Sequence, residues 1–278
     1  MKTRVITALV SIVIFLVAML GYFTPVLNVL VSIVIGIAVW ELFSATGLHK
    51  HKLLYLLSTV YACSMPFLVM FENTQLFAAV MALYAILSLA IALKQHQVLS
   101  FDRLCVAMVL STVYPLAFLC LLMTREVEPL YGIYYIFIIC GIAWGGDSFA
   151  YFGGRFFGKH KLAPIISPKK TVEGVYGGIF GSILIALILS LCYSAIMNAL
   201  GNPVVVRYAI LVLAAILLSL VSVFGDLVAS MIKRQFGIKD YGKIFPGHGG
   251  IMDRFDSVLM VAPIVYFLMK FIPVILPA

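Results

Sequence analysis

Three carboxylates and a set of cations concentrate in the C-terminal part of this chain. Asp226 lies in the apolar stretch LSLVSVFGDLVASMIKR, and Ser230, Lys233 and Arg234 follow it at i+4, i+7 and i+8. On a helix this spacing lines one face with an acid, a hydroxyl and then bases. An isolated acid inside an apolar run is costly, so it normally faces a polar cavity and has a partner. Asp253 and Asp256 follow three residues apart where the next apolar run begins, so on a helix they share a face. Carboxylate oxygens without a His or Cys cluster suit Mg2+. The cations Arg155, Lys169, Lys170, Lys239 and Lys243 suit anionic ligands such as phosphates. Plainer readings stand beside these. Asp226 can belong to an ion pair, Asp253 or Asp256 can cap a helix, and Glu173 can answer a helix dipole. Asp147 can join the acids or pair with a lysine. His248, between glycines, can be a turn residue.

These residues must be positioned by membrane helices. The chain has 278 residues, is 64% hydrophobic and only 11% charged, with mean hydropathy +1.14. Soluble domains are about 45–50% apolar. At about 20 residues per span, roughly nine helices fit. They are expected near 5–22, 25–46, 53–71, 77–93, 104–123, 131–146, 174–199, 205–232 and 257–277. The fold class is therefore all-α and polytopic. Continuous rather than alternating apolar runs argue against a β-barrel. With nine spans and a cytosolic N-terminus, all Lys and Arg except Arg125, Arg207 and Lys270 fall on the cytosolic side, as the positive-inside rule favours. The C-terminus then lies on the far side.

The same count puts two polar segments, 147–173 and 233–256, on the cytosolic face as loops. The first, rich in glycine, aromatics and lysine, is expected at the bilayer interface. Its glycines let backbone N–H groups approach phosphate oxygens, while Gly177, Gly178 and Gly181 allow tight helix packing. Lys2 and Arg4 precede an apolar run too long for a signal peptide, read as an uncleaved first helix. The net charge of +8 is read as attraction to anionic membrane lipid rather than to nucleic acid. Five scattered cysteines, without a C-x-x-C, read as inert thiols. Residues 1–278 form one integral-membrane domain, with 1–145 a scaffold and 146–278 carrying the site. Glu41, after Trp40, is expected to pair with a nearby lysine.

Two blocks carry a resemblance. The first is Ser230-x-x-Lys233-Arg234-x4-Lys239-Asp240-x-Gly242-x2-Phe245-Pro246-x-His248-Gly249-Gly250-x-x-Asp253-Arg254-Phe255-Asp256. The second is Asp147-x-x-Ala150-Tyr151-x-x-Gly154-Arg155-x-Phe157-Gly158-Lys159, followed by Ser167-Pro168-Lys169-Lys170-Thr171-x-Glu173-Gly174. Together they resemble the signature of phosphatidate cytidylyltransferases, also called CDP-diacylglycerol synthases. The resemblance implies that CTP and phosphatidate give CDP-diacylglycerol and pyrophosphate. It implies catalytic roles for Asp226, Asp253, Ser230, Lys233 and Asp256, with Mg2+ on Asp226 and Asp253 and a second metal ion left open. Arg155, Lys169, Lys170, Arg234, Lys239, Asp240, His248 and Arg254 would bind substrate. A homodimer in the bacterial inner membrane, with its active site facing the cytosol, is also implied.

Phosphatidate brings a phosphate monoester that is already anionic, its second pKa being about 6, so no general base is required. No histidine or carboxylate is obviously placed to make Ser230 a nucleophile, and direct displacement is expected. The rival from another class is an ion-coupled membrane transporter using Asp226. Span interiors otherwise nearly free of charge, without inverted repeats, argue against it.

Overall fold

Long apolar helices dominate the computed structural model, which describes every residue except Met1, Pro246 and His248; the side chains of residues 2–9 and Pro129 are likewise outside the description. In chain order the helices are α1 (Lys2–Leu20), α2 (Val26–Ala45), α3 (Lys52–Leu68), α4 (Thr74–Lys94), α5 (Phe101–Val127), α6 (Pro129–Cys140) and α7 (Gly146–Phe157). Strands β1 (Lys161–Ala163) and β2 (Ser167–Thr171) precede α8 (Val172–Ala199). Then come β3 (Val204–Val206), α9 (Tyr208–Gln235), α10 (Met252–Phe271) and β4 (Ile275–Pro277). Among the described residues, seven helices are long and apolar enough to cross a membrane: α2, α3 with its continuation to Phe71, α4, α5, the α6–α7 segment, α8 and α9.

The chain divides into two compact units. One comprises residues 1–123 and 235–254, the other 124–234 and 255–278. In the first unit, several polar groups inside the helices are paired with one another or with backbone, which an apolar surround favours. Asn28 on α2 donates to the Pro66 carbonyl on α3 at 2.6 Å, and Ser32 donates to the Cys63 carbonyl at 2.8 Å. Tyr84 on α4 joins Ser58 on α3 and Ser111 on α5, at 2.9 and 2.5 Å. Its ring stacks on Tyr61 with centroids 3.9 Å apart. Three helices are thereby fixed in register by one hydroxyl chain.

In the second unit, α7 and α8 meet along glycines. A side-chain carbon on Gly153 would lie 3.1 Å from the Gly177 Cα, and one on Gly154 would lie 3.6 Å from the Gly174 Cα. The two backbones therefore approach as closely as small-residue seams in membranes permit. This seam explains a departure from the sequence expectation. The 147–173 segment is not a loop throughout, because α6 continues through a π-helical turn at Gly141–Gly145 into α7. The glycines that make 146–158 look unhelical are the ones α8 packs against, and packing overrides their low propensity. The remainder of the segment is the antiparallel β1–β2 hairpin, which pairs Lys161 with Thr171 and Ala163 with Ser167. A second small ladder joins β3 to β4, and the Tyr135 hydroxyl accepts from the Val274 amide at 2.8 Å.

Candidate active site

The second unit builds its polar cluster around Asp226. The residue sits in α9 one position after Gly225, where an added side-chain carbon would stand 2.8 Å from the Asp256 carbonyl oxygen. That glycine lets α9 lie directly against the first turns of α10. Ser230, one turn on, donates to Asp226 Oδ1 at 3.3 Å. Lys170 Nζ lies 2.6 Å from Asp226 Oδ2 and also donates to the Val223 carbonyl at 3.5 Å. The acid–hydroxyl stripe read from the sequence is present, and its ion-pair partner is a lysine from the hairpin.

Strand geometry explains why Lys170 rather than Lys169 takes that place. Neighbouring residues on a strand point to opposite faces; Lys169 is exposed, while Lys170 is half-buried on Asp226. Thr171, next in line, is the N-cap of α8 and accepts from the Gly174 amide at 3.1 Å. The Ser-Pro-Lys-Lys-Thr run is thus a strand that delivers one lysine inward and then starts a helix. Glu173, in the first turn of α8, accepts from the Lys159 and His160 amides and pairs with His160 Nδ1 at 2.6 Å. It secures the entry to the hairpin.

Around this pair stand Asp147, Asp256 and Lys233. Asp256 lies within charge–charge range of Asp226, Lys233 and Asp147. Ser257, which carried no expectation, donates to Asp147 Oδ2 at 3.4 Å and to the Ser222 carbonyl at 3.3 Å. Arg234 Nε donates to the Ile166 carbonyl at 3.4 Å, so this expected phosphate ligand also braces the hairpin. Lys233 and Arg234 close α9, where cations favour the helix dipole. Arg155 is exposed and donates to the Tyr151 hydroxyl at 3.3 Å.

The first unit builds a different arrangement around Asp253. This residue is buried, and its Oδ2 accepts from the Tyr241 amide at 2.8 Å and the Gly250 amide at 3.0 Å. Asp253 and Asp256 both lie within α10, as their spacing requires, and since α10 begins at Met252 neither is its N-cap. Gly249 adopts φ +85° beside the Asp253 carboxylate, a left-handed conformation that favours glycine. Lys239, Asp240, Lys243 and Arg254 are exposed. The expectation for His248 lies outside the described residues.

The lysine partner expected for Glu41 is corrected. Glu41 is fully buried, and its carboxylate accepts from the Ile251 amide at 3.1 Å and the Met252 amide at 2.9 Å. Backbone N–H groups, not an ammonium, satisfy it. Ser230 donates to Asp226, as their helical spacing indicates, and that carboxylate is also held by Lys170.

Among the described residues, no three His, Cys, Asp or Glu side chains are gathered as a ready metal cage. The donor chemistry nevertheless fits Mg2+. Every candidate is a carboxylate oxygen, and Mg2+ typically uses one or two carboxylates together with water and substrate phosphates.

Sequence comparison places the chain among known proteins. A model of the cytidylyltransferase family matches residues 2–272, and the chain belongs to that family. It is 34% identical over 280 residues to a phosphatidate cytidylyltransferase of Bacillus subtilis strain 168, covering 97% of each chain. It is 34% identical over 276 residues to the protein of that name from Staphylococcus epidermidis RP62A, covering 97% of this chain and 99% of the relative. A Staphylococcus aureus COL relative, also named phosphatidate cytidylyltransferase, is 33% identical over 274 residues. Nothing in this membership supports the transporter reading.

Proposed function

We propose that this chain transfers the cytidylyl group of CTP to phosphatidate, giving CDP-diacylglycerol and pyrophosphate. The observation that carries the reading is the end-to-end match, at about a third identity, to proteins named for that activity. The Lys170–Asp226–Ser230 arrangement supports it, because it puts a cation and a carboxylate at the end of a membrane helix.

The chemistry is a displacement at the α-phosphorus of CTP. A phosphate oxygen of phosphatidate forms the new P–O bond. The bond from the α-phosphorus to the oxygen bridging to the β-phosphorus breaks, and its electron pair leaves with pyrophosphate. The nucleophile is already anionic, so the chain's task is to bring polyanions together and stabilise the leaving charge. Lys170, Lys169, Arg155, Lys233, Arg234, Lys239 and Arg254 are proposed to hold phosphates, and Asp256 to orient the cations near Asp226. Asp226 and Asp253 would hold Mg2+, which supplies charge neutralisation on the triphosphate.

The membrane arrangement belongs to the same proposal. It has nine spans, a cytosolic N-terminus, a C-terminus on the far side, and a homodimer in the bacterial inner membrane. The acyl chains then stay in the bilayer while the headgroup meets cytosolic CTP.

The direct test uses purified protein in lipid nanodiscs with radiolabelled CTP and Mg2+. Organic-extractable label should appear only with phosphatidate, with pyrophosphate released in equal amount. No lipid-linked label under these conditions would sink the reading.

A further inference from the structure

The geometry points to Glu41 as the residue that positions the Asp253 carboxylate, acting through the backbone of residues 250–252. This rests on the proposed role of Asp253 as a metal ligand.

Glu41 projects from α2, yet its partners stand more than two hundred positions away in sequence. Its two oxygens take the Ile251 and Met252 amides at 3.1 and 2.9 Å. These N–H groups open α10, where backbone donors have no intrahelical acceptor. The two carboxyl oxygens supply the acceptors that these donors lack at the start of the helix. The preceding amide, Gly250 N, goes instead to Asp253 Oδ2 at 3.0 Å. Three consecutive amides are therefore divided between two carboxylates. Turning the 251–252 peptides away from Glu41 would turn the Gly250 amide away from Asp253.

The glycines give independent support. A side-chain carbon on Gly242 or Gly250 would run into the Glu41 carboxylate. These two motif glycines are accounted for by the close approach of Glu41, without a phosphate contact. Glu41 touches no reacting group in this scheme, and its effect passes through Asp253.

The test measures Mn2+ binding by electron paramagnetic resonance, on purified protein in detergent without nucleotide or lipid. Glu41→Gln keeps the volume but places an amide NH2 against one of the two donors. It should weaken Mn2+ binding by about 10- to 100-fold, the usual cost of losing a group that supports a metal ligand. A monodisperse elution profile and an unchanged CTP KM should accompany that loss. Asp226→Asn, which leaves the 250–252 backbone alone, should abolish binding. If Asp226→Asn abolishes binding while Glu41→Gln and Glu41→Ala keep wild-type binding and kcat, the role of Glu41 is overturned and the metal assignment stands. Wild-type binding in both Asp226→Asn and Asp253→Asn sinks the metal assignment instead.

A double-mutant cycle then decides the role of Glu41 without reference to metal. Gly250→Ala should lower kcat in the wild-type background. It should add no further loss beside Glu41→Ala, where the carboxylate it collides with is gone. Full additivity would overturn the proposal. If Glu41→Ala does not fold, Glu41→Asp provides the shortened side chain for the same cycle.

Discussion

Lys170 of strand β2 and Asp226 of helix α9 form an ion pair, with Nζ 2.6 Å from Oδ2. The acid lies on an otherwise apolar helix, and its countercharge comes from a hairpin fifty-odd residues earlier in the chain. Both side chains are only partly exposed, at 21% and 28%. The pair is therefore screened less than a surface ion pair.

Lys170 and Lys169 should differ sharply. Lys170→Ala should lower kcat by about 10²-fold or more, in line with losing a fixed charge at a reacting phosphate. Lys170→Arg should recover part of the rate. Lys169→Ala, on the exposed face of the strand, should cost less than about tenfold, mainly in the CTP or phosphatidate KM. Steady-state kinetics on the three variants checks this, and equal losses would show that strand orientation does not sort the two lysines.

Turnover should need a divalent cation. Removing metal with EDTA should abolish activity, and Mg2+ or Mn2+ should restore it. Asp226→Asn and Asp253→Asn should each stay inactive at saturating Mg2+ while eluting as folded protein. Near-wild-type turnover in either would remove that residue from the site. Asp256→Asn should retain part of the activity.

The glycine seam should tolerate no side chain. Gly177→Val faces the Gly153 Cα and Phe149 carbonyl across the α7–α8 contact. Overpacking of this kind costs about 1–3 kcal/mol, and it should appear as a lowered melting temperature in detergent. Gly225→Val should be worse for activity than for stability, because it pushes α9 away from Asp256 beside Asp226.

Cysteine labelling tests the proposed orientation. In a background lacking Cys63, Cys105, Cys120, Cys140 and Cys192, cysteines placed at Lys161 and Lys243 should react only from the cytosolic side. One placed at Gly201 should react from outside. Labelling of positions 161 and 243 from opposite faces would contradict the common face proposed for the two motif blocks.

Transfer should proceed without a nucleotidyl-enzyme intermediate. Ser230 donates to Asp226 at 3.3 Å, but that carboxylate is already engaged by Lys170. Isotope exchange between CTP and pyrophosphate should require phosphatidate or CDP-diacylglycerol. Rapid exchange by lipid-free protein, with label trapped covalently, would make Ser230 the nucleophile to examine.

What could be read from the sequence was local. The Asp226–Ser230 contact follows from helical spacing alone, and α9 is present over nearly the range its apolar run indicates. α7 was hidden because Gly153 and Gly154 mark it as loop, and only their fit against α8 reverses that. The inward turn of Lys170 depends on a strand of five residues, too short for alternation to announce itself. Glu41 was recognisable as an acid needing a partner. Backbone N–H groups carry no side-chain signature, so nothing near Ile251 or Met252 marked them as that partner.

The β3–β4 ladder has a consequence for the order in which the protein is made. Val204 pairs with Pro277, Val205 with Leu276 and Val206 with Ile275, so the start of α9 is tied to chain that leaves the ribosome only after α10. During synthesis α9 must enter the bilayer with this end unfastened. The clasp can close only when β4 emerges, so this end of α9 is fastened after the helix has inserted. Chains truncated just before β4 should therefore insert but lack this ladder, which a lowered melting temperature in detergent would report.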